Sequence, residues 1–259
     1  MKTLNALISH LPAAAVDEHL QLQRAVAPGA RFVVCYTGDA ASFAHIRDEA
    51  KALVDDGSLA GPARSFQAYG GVLAAIARQW LAAEPELDSV YLFEYDHLIL
   101  SPGFEDALRA LAERTGAGLM GKNCVERTAT NWHHYARFRR DPALLACLRR
   151  VSVREDATRM YGTLGNGIWL SRAAVEAYLA VPEHPPCYGE LYVPTLLHHL
   201  GQRVIDIDAL SPLYAAVRWE PGFSGSEVDR LCAEGAAFVH PVKDEAVRRR
   251  ALVTAAGRR

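Results

Sequence analysis

No window of the chain approaches the roughly 18 consecutive apolar residues that span a bilayer, so no membrane-crossing helix is predicted. The amino terminus has one lysine and a short apolar run, too short for a secretory h-region and its cleavage site. No cysteines are spaced as CxxC. The five present (Cys35, Cys124, Cys147, Cys187 and Cys232) are scattered and odd in number. That spacing argues against a disulfide framework or a zinc knuckle, and predicts reduced, mostly buried thiols in a cytoplasmic protein. A strong charge is also missing. The formal net charge is -2, so nothing in the bulk electrostatics calls for nucleic acid as a partner. There is no GxxxxGKS or GxxxxGKT run, which excludes a P-loop, and no GxGxxG follows the first predicted strand, which excludes the dinucleotide fingerprint.

What is present is ordinary globular material. With 259 residues, half of them hydrophobic, the chain can bury one large core, and no repeat or low-complexity linker divides it. The pattern predicts strands over 4–9, 31–36, 89–93, 118–122, 164–170 and 203–207. Helices are predicted over 13–26, 41–55, 71–83, 102–114, 142–150, 171–179 and 191–200. Residues 57–62 read as a loop. Strands alternating with helices predict an α/β fold: a mixed, mostly parallel sheet flanked by helices, in a single domain over 1–246. The remainder, 247–259, holds Arg248, Arg249, Arg250, Arg258 and Arg259. It is expected to be a basic, flexible tail, with peripheral contact to an anionic membrane surface as the alternative use of that charge.

Ligands of such sheets bind beyond the carboxyl ends of the strands. The most apolar strand there is, Ser89-Val90-Tyr91-Leu92-Phe93, ends in Glu94-Tyr95-Asp96-His97. Two carboxylates at i and i+2 can hold one hard cation such as Mg²⁺ or Mn²⁺, which keeps substrate phosphates in its other positions. Alone, the triplet is better read as a solvated loop with Asp96 capping the next turn.

Its surroundings matter more. A helix reading Gly71-Val72-Leu73-Ala74-Ala75-Ile76-Ala77-Arg78-Gln79 precedes the strand, and Leu98-Ile99-Leu100-Ser101-Pro102 follows the acids. In order and spacing this resembles the GT-A class of nucleotide-sugar glycosyltransferases, with a Rossmann-like fold and a family 2-like pattern. Those enzymes carry a DxD motif where this chain has the variant Glu94-Tyr95-Asp96. The resemblance implies transfer of a sugar from a nucleoside-diphosphate sugar to a hydroxyl acceptor, assisted by Mn²⁺ or Mg²⁺, with inversion favoured. It implies that Asp96 is the main metal ligand, with Glu94 and a late histidine, His240, assisting.

Further positions follow from the same resemblance. Ser9, Thr37, Gly38 and Asp39, at the ends of the first two strands, match the region that wraps the nucleotide. Arg78 and Tyr95 belong to the donor-binding motifs. Gly165, Asn166 and Gly167 match a glycine-rich stretch that approaches the donor sugar, and Lys243 matches a lysine on the diphosphate. Glu190, in Tyr188-Gly189-Glu190, matches the acid that deprotonates the acceptor. The residues 130–135 (Thr-Asn-Trp-His-His-Tyr) are expected near the acceptor or in a surface loop. Two other readings stay open: a non-catalytic nucleotide- or carbohydrate-binding protein of the same fold, and a nucleotidyltransferase. Against the latter, the loop His10-Leu11-Pro12-Ala13 has neither the glycines nor the basic residue of such enzymes.

Overall fold

The computed structural model describes residues 2–54 and 69–258. The predicted loop over 57–62 lies outside the described residues. In chain order the first half contains β1 (Lys2–Ser9), α1 (Ala13–Val26), β2 (Arg31–Tyr36), α2 (Ala40–His45), β3 (Lys51–Leu53), α3 (Tyr69–Ile76) with a π turn (Ala77–Leu81), β4 (Leu87–Glu94), β5 (Leu98–Ile99) and α4 (Phe104–Thr115). The second half contains β6 (Leu119–Gly121), β7 (Val125–Glu126), α5 (His133–Phe138), α6 (Pro142–Val151), β8 (Tyr161–Gly162), β9 (Ile168–Ser171), α7 (Arg172–Leu179), α8 (Gly189–His199), β10 (Val204–Asp206), α9 (Gly225–Ala233), β11 (Phe238–Val239) and α10 (Glu245–Ala256).

Among the described residues seven strands form one sheet in the order β10-β6-β9-β4-β1-β2-β3. All pairs are parallel except those of β9, which runs antiparallel to both β4 and β6. The architecture is therefore the mixed, mostly parallel, helix-flanked sheet expected from the sequence. Its central strands read as continuous apolar runs because both faces are covered. Leu4, Ala6 and Ile8 of β1 pack on one side with α3, α7 and α8, and Leu7 packs on the other with α1 and α4.

Three elements differ from expectation. The helix predicted over 41–55 stops at His45, and Lys51–Leu53 add an edge strand to β2. A short apolar run gives no periodicity to separate helix from strand, and the free edge of β2 decides it. The strand predicted over 164–170 shrinks to Ile168–Ser171, and residues 163–167 become a loop. Leu164 N–H donates to the Lys122 carbonyl (2.9 Å), so this loop sits at the carboxyl edge of the parallel strands and β9 descends from it.

The third difference is the basic terminus. Where a frayed tail is expected from residue 247, the chain forms α10, whose Ala251, Leu252 and Ala255 are buried in a third apolar cluster with Val26, Leu98, Val228 and Cys232. Asp244 caps it by accepting from Val247 N–H at 3.0 Å. Its arginines are engaged within the chain: Arg248 donates to the Val242 carbonyl (3.2 Å), Arg249 pairs with Glu18 (2.8 Å) and Arg250 with Asp229 (3.1 Å). Arg259 lies outside the described residues. No helix of the described residues is long and apolar enough to cross a membrane, and the five cysteines are free and buried.

Arg172, just after β9, ties the far edge of the sheet together. Its guanidinium donates to the carbonyls of Leu81 (2.9 Å) and Leu87 (3.3 Å), while Nε binds Glu176 (2.8 Å). It thus caps the irregular end of the π turn, whose carbonyls lack helical partners. Arg172→Ala is expected to cost about 1–3 kcal/mol by urea denaturation. Arg172→Lys should recover part of that, because an ammonium cannot reproduce the fork. An unchanged urea midpoint in Arg172→Ala would refute this role.

Candidate active site

Parallel register brings the ends of β1, β2 and β4 to one edge: Ile8 lies opposite Glu94, and Ser9 opposite Tyr36. Glu94-Tyr95-Asp96-His97 turns there, closed by His97 N–H donating to the Glu94 carbonyl at 3.0 Å. Two other segments fix this acid turn. Asn166 accepts from Glu94 N–H (3.0 Å) through Oδ1, and its Nδ2 faces Asp96 Oδ1 at 3.4 Å. Val242 N–H donates to the Asp96 carbonyl at 2.9 Å, which lays the segment His240–Lys243 alongside. Asn166 is thus occupied in holding the acids.

Asp96 is fully buried. Its Oδ2 is ion-paired with the Lys243 ammonium, whose side chain is otherwise largely exposed. Burial works to lower the Lys243 pKa, but the hydrogen bond and charge of Asp96 outweigh it and raise it. On the other oxygen, Asp96 Oδ1 lies 3.6 Å from His240 Nε2. His240 Nδ1 is 2.9 Å from the Arg218 carbonyl, which can only accept, so the ring proton sits on Nδ1. Burial lowers the His240 pKa against the pull of Asp96, so the ring is neutral. A nitrogen lone pair then faces a carboxylate oxygen with no proton between them. A carbonyl fixing the far nitrogen and a carboxylate beside the near one supply two ligands of the kind a divalent cation takes.

Glu94 fits less well. Its carboxyl is pushed up to about 8, by burial first and then by the charge of Asp96, with Lys243 opposing. Among the described residues no group of three or more His, Cys, Asp and Glu side chains is arranged to hold a metal ion. The expected trio is therefore a facing pair, Asp96 and His240, with Glu94 coupled to it electrostatically.

Glu190 is the second residue of α8 and is buried, where the helix dipole favours its charge. Its Oε1 accepts from Gly165 N–H at 2.7 Å, and its Oε2 faces His134 Nε2 at 3.5 Å. Among the described residues, His134 Nε2 and the Tyr69 hydroxyl are buried without hydrogen-bond partners. A Cβ at Gly165 would stand 2.7 Å from Glu190 Oε1, so a larger residue there would displace the buried Glu190 carboxylate. Gly167 has φ of 73°, and its Cβ would meet His97 Cε1 at 2.7 Å. The glycines expected near a ligand are thus required by close approach to the Glu190 carboxylate and the His97 ring.

A cleft of about 470 Å³, within the range of small-molecule sites, joins Glu94, Asn166, Glu190, His240 and Lys243. Its remaining wall includes Trp219, Glu220, Pro221 and Gly222, none of them anticipated as site residues. The Pro221-Gly222 turn was legible in the sequence, but its approach to Glu190 was not. Ser9, Thr37, Gly38 and Asp39 do not line this cleft; they end or follow β1 and β2 at the carboxyl edge of the sheet. Asp39 caps α2, accepting from Ser42 N–H at 2.8 Å. Tyr95 meets His10 edge-on at 5.4 Å, with Arg248 5.2 Å over its ring. Arg78 is not brought to the site. It is exposed in the π turn, on the far side of α3 from Tyr69, because the helix runs from the carboxyl edge back toward the start of β4.

No protein-family model matches the chain, and no curated protein is similar enough to match. Several solved structures are similar in fold. A glycosyltransferase involved in glycosylating the major capsid of PBCV-1 is 10% identical over 96% of this chain and 99% of its own, with a TM-score of 0.43. The galactosyltransferase LgtC, in complex with donor and acceptor sugar analogues, is 14% identical over 99% of this chain and 95% of its own, also with a TM-score of 0.43. A197 from STIV is 11% identical over 79% of this chain and 80% of its own, with a TM-score of 0.34. Likenesses at this level carry no weight for the chemistry, which rests on the side chains.

Proposed function

We propose that the chain is a glycosyltransferase that moves a sugar from a nucleoside-diphosphate sugar to a hydroxyl-bearing acceptor, with inversion favoured. The observation that carries this reading is one cleft lined by the buried Glu190 carboxylate together with His240 and Lys243, both of which meet the fully buried Asp96 behind the cleft wall. The nucleoside would lie along Ser9, Thr37, Gly38 and Asp39 with Tyr95. Lys243, a point charge at the cleft wall, would take the diphosphate. Asp96 and His240 would hold Mn²⁺ or Mg²⁺, with Glu94 nearby, and such an ion supplies Lewis-acid stabilisation of a departing diphosphate. Glu190 Oε2 accepts the proton of the acceptor hydroxyl. As the new bond from the acceptor oxygen to the anomeric carbon forms, the bond from that carbon to the phosphate oxygen breaks, and the electron pair leaves with the nucleoside diphosphate.

One observation favours a second reading, a non-catalytic nucleotide- or carbohydrate-binding protein. Lys243 already neutralises Asp96, and Glu94 is held largely protonated at neutral pH. A thermal-shift screen of UDP, GDP and their sugars, with and without Mn²⁺, separates the possibilities. At a hundredfold excess over Kd the matching ligand is expected to raise Tm by at least about 5 °C, more with Mn²⁺ than without. Stabilisation by no nucleoside diphosphate would overturn the nucleotide-sugar reading. Binding with neither transfer nor donor hydrolysis would favour the second.

A further inference from the structure

The chain has four tryptophans. Trp80 and Trp169 are core residues, and Trp132 is half-buried under the Arg127 guanidinium, 4.8 Å from its ring. Trp219 alone is 52% exposed. Single exposed apolar side chains are common and need no explanation, so its exposure alone means little. Its position is more informative: it lines the same cleft as Glu190, Asn166 and Glu220.

The backbone that carries it is fastened from both ends. Arg218 N–H donates to the His240 carbonyl at 2.9 Å, and His240 Nδ1 returns a bond to the Arg218 carbonyl at 2.9 Å. The Arg218 guanidinium donates to the carbonyls of Pro221 (2.6 Å) and Gly222 (3.3 Å) and lies 3.6 Å over the Phe223 ring. Phe223 N–H donates to the Pro241 carbonyl at 3.0 Å. Among the described residues no aromatic ring or cation packs on the Trp219 indole. A fastened segment therefore places an indole at the wall of a cleft whose other polar groups are the carboxyls of Glu94, Glu190 and Glu220, the Asn166 amide, the His240 imidazole and the Lys243 ammonium.

That combination matches one ligand chemistry. A pyranose ring has a face of C–H bonds, apolar and weakly positive, that packs on the negative face of an indole. Its hydroxyls point outward in the ring plane, where Glu220 and Glu190 can accept from them. An anionic lipid surface is disfavoured, because Glu220 and Glu190 would repel it and the ammonium lining the cleft, Lys243, is already paired with Asp96. We propose that Trp219 is the stacking platform of an acceptor subsite, and that the acceptor is a saccharide whose ring lies on the indole and whose hydroxyl reaches Glu190. This rests on the transfer reading above for its role, though not for the binding itself.

Trp219 can be read directly, since it is the most exposed of the four indoles. Intrinsic fluorescence of the full chain is titrated with methyl glycosides of glucose, galactose, mannose and N-acetylglucosamine, and separately with UDP and GDP. At least one glycoside is expected to shift the wild-type emission and to leave that of Trp219→Phe unchanged. By calorimetry, Trp219→Ala should bind that glycoside at least about tenfold more weakly, the scale of losing one stacked ring, and Trp219→Phe should lose less. The proposal is overturned if no glycoside shifts the emission, if UDP or GDP alone does so, or if Trp219→Ala keeps wild-type affinity. If glycosides shift Trp219 while no nucleoside diphosphate stabilises the protein, the transfer reading fails and the saccharide site stands.

Discussion

Glu190→Gln is expected to lower the turnover of the stabilising donor by about 10²–10⁴-fold, with the fold and donor affinity kept. The substitution is nearly isosteric. The amide oxygen can still accept from Gly165 N–H, and the amide NH₂ can face His134 Nε2, which lies 3.5 Å from the native Oε2. The ability to take a proton is what disappears. Oε1 is taken by Gly165 N–H at 2.7 Å, whereas Oε2 meets His134 Nε2 only at 3.5 Å, so Oε2 is the oxygen assigned to the acceptor hydroxyl. The measurement is nucleoside diphosphate release in the presence of acceptor, with Tm as the control for folding. Tm should move by no more than about 4 °C, the equivalent of roughly 1 kcal/mol for a chain of this size. A kcat within threefold of wild type would refute the base. A raised KM with unchanged kcat would assign Glu190 to binding alone.

Asp96→Asn should uncouple function from stability. Asparagine keeps the shape beside Asn166 and His240 but removes the charge that pairs with Lys243 and would hold a cation. Mn²⁺-dependent stabilisation by the nucleoside diphosphate should vanish, and transfer should fall by at least about 100-fold, since changing even a partner of a metal ligand costs 10–100-fold. The unliganded protein, by contrast, should be no less stable. Asp96 is fully buried while its Lys243 partner is largely exposed, so the ion pair recovers little of what burying the carboxylate costs. The freed lysine can turn into water. A residue whose removal leaves Tm level or higher and abolishes cation-linked binding is retained for binding. Retained Mn²⁺ dependence in this variant would sink the assignment of Asp96, and a large fall in Tm would make it a structural residue.

Much of the frame was legible because it depends on local pattern. Apolar runs for β1, β2 and β4, and the capped amphipathic helices between them, follow from side-chain periodicity within a few residues. The acid turn was found because an apolar strand ended in carboxylates. Glu190 was singled out by the resemblance, which sets an acid where a helix opens, and not by its local pattern alone. The edge strand β3 was missed because its residues read equally as helix, and only the open edge of β2 distinguishes the two. The docked α10 was missed because its arginines dominate the composition, while its buried stripe of Ala251, Leu252 and Ala255 is short and made of small residues. Arg78 was placed at the donor from motif order, which carries no information about which end of a helix faces the strand ends.

The sequence by itself determined the alternating α/β plan and the carboxylates at the mouth of β4, since each is written in residues close together along the chain. Tertiary structure alone decided the rest. It set the antiparallel course of β9 that delivers Gly165 and Asn166, the closure of Lys243 on Asp96, the facing of His240 and Asp96, and the arrival of Trp219 beside Glu190. These contacts join segments separated by 70 residues, for Asn166 to Asp96, and by as many as 147, for Lys243 to Asp96. The geometry across such separations is fixed by how the sheet and its helices pack, which local periodicity does not encode.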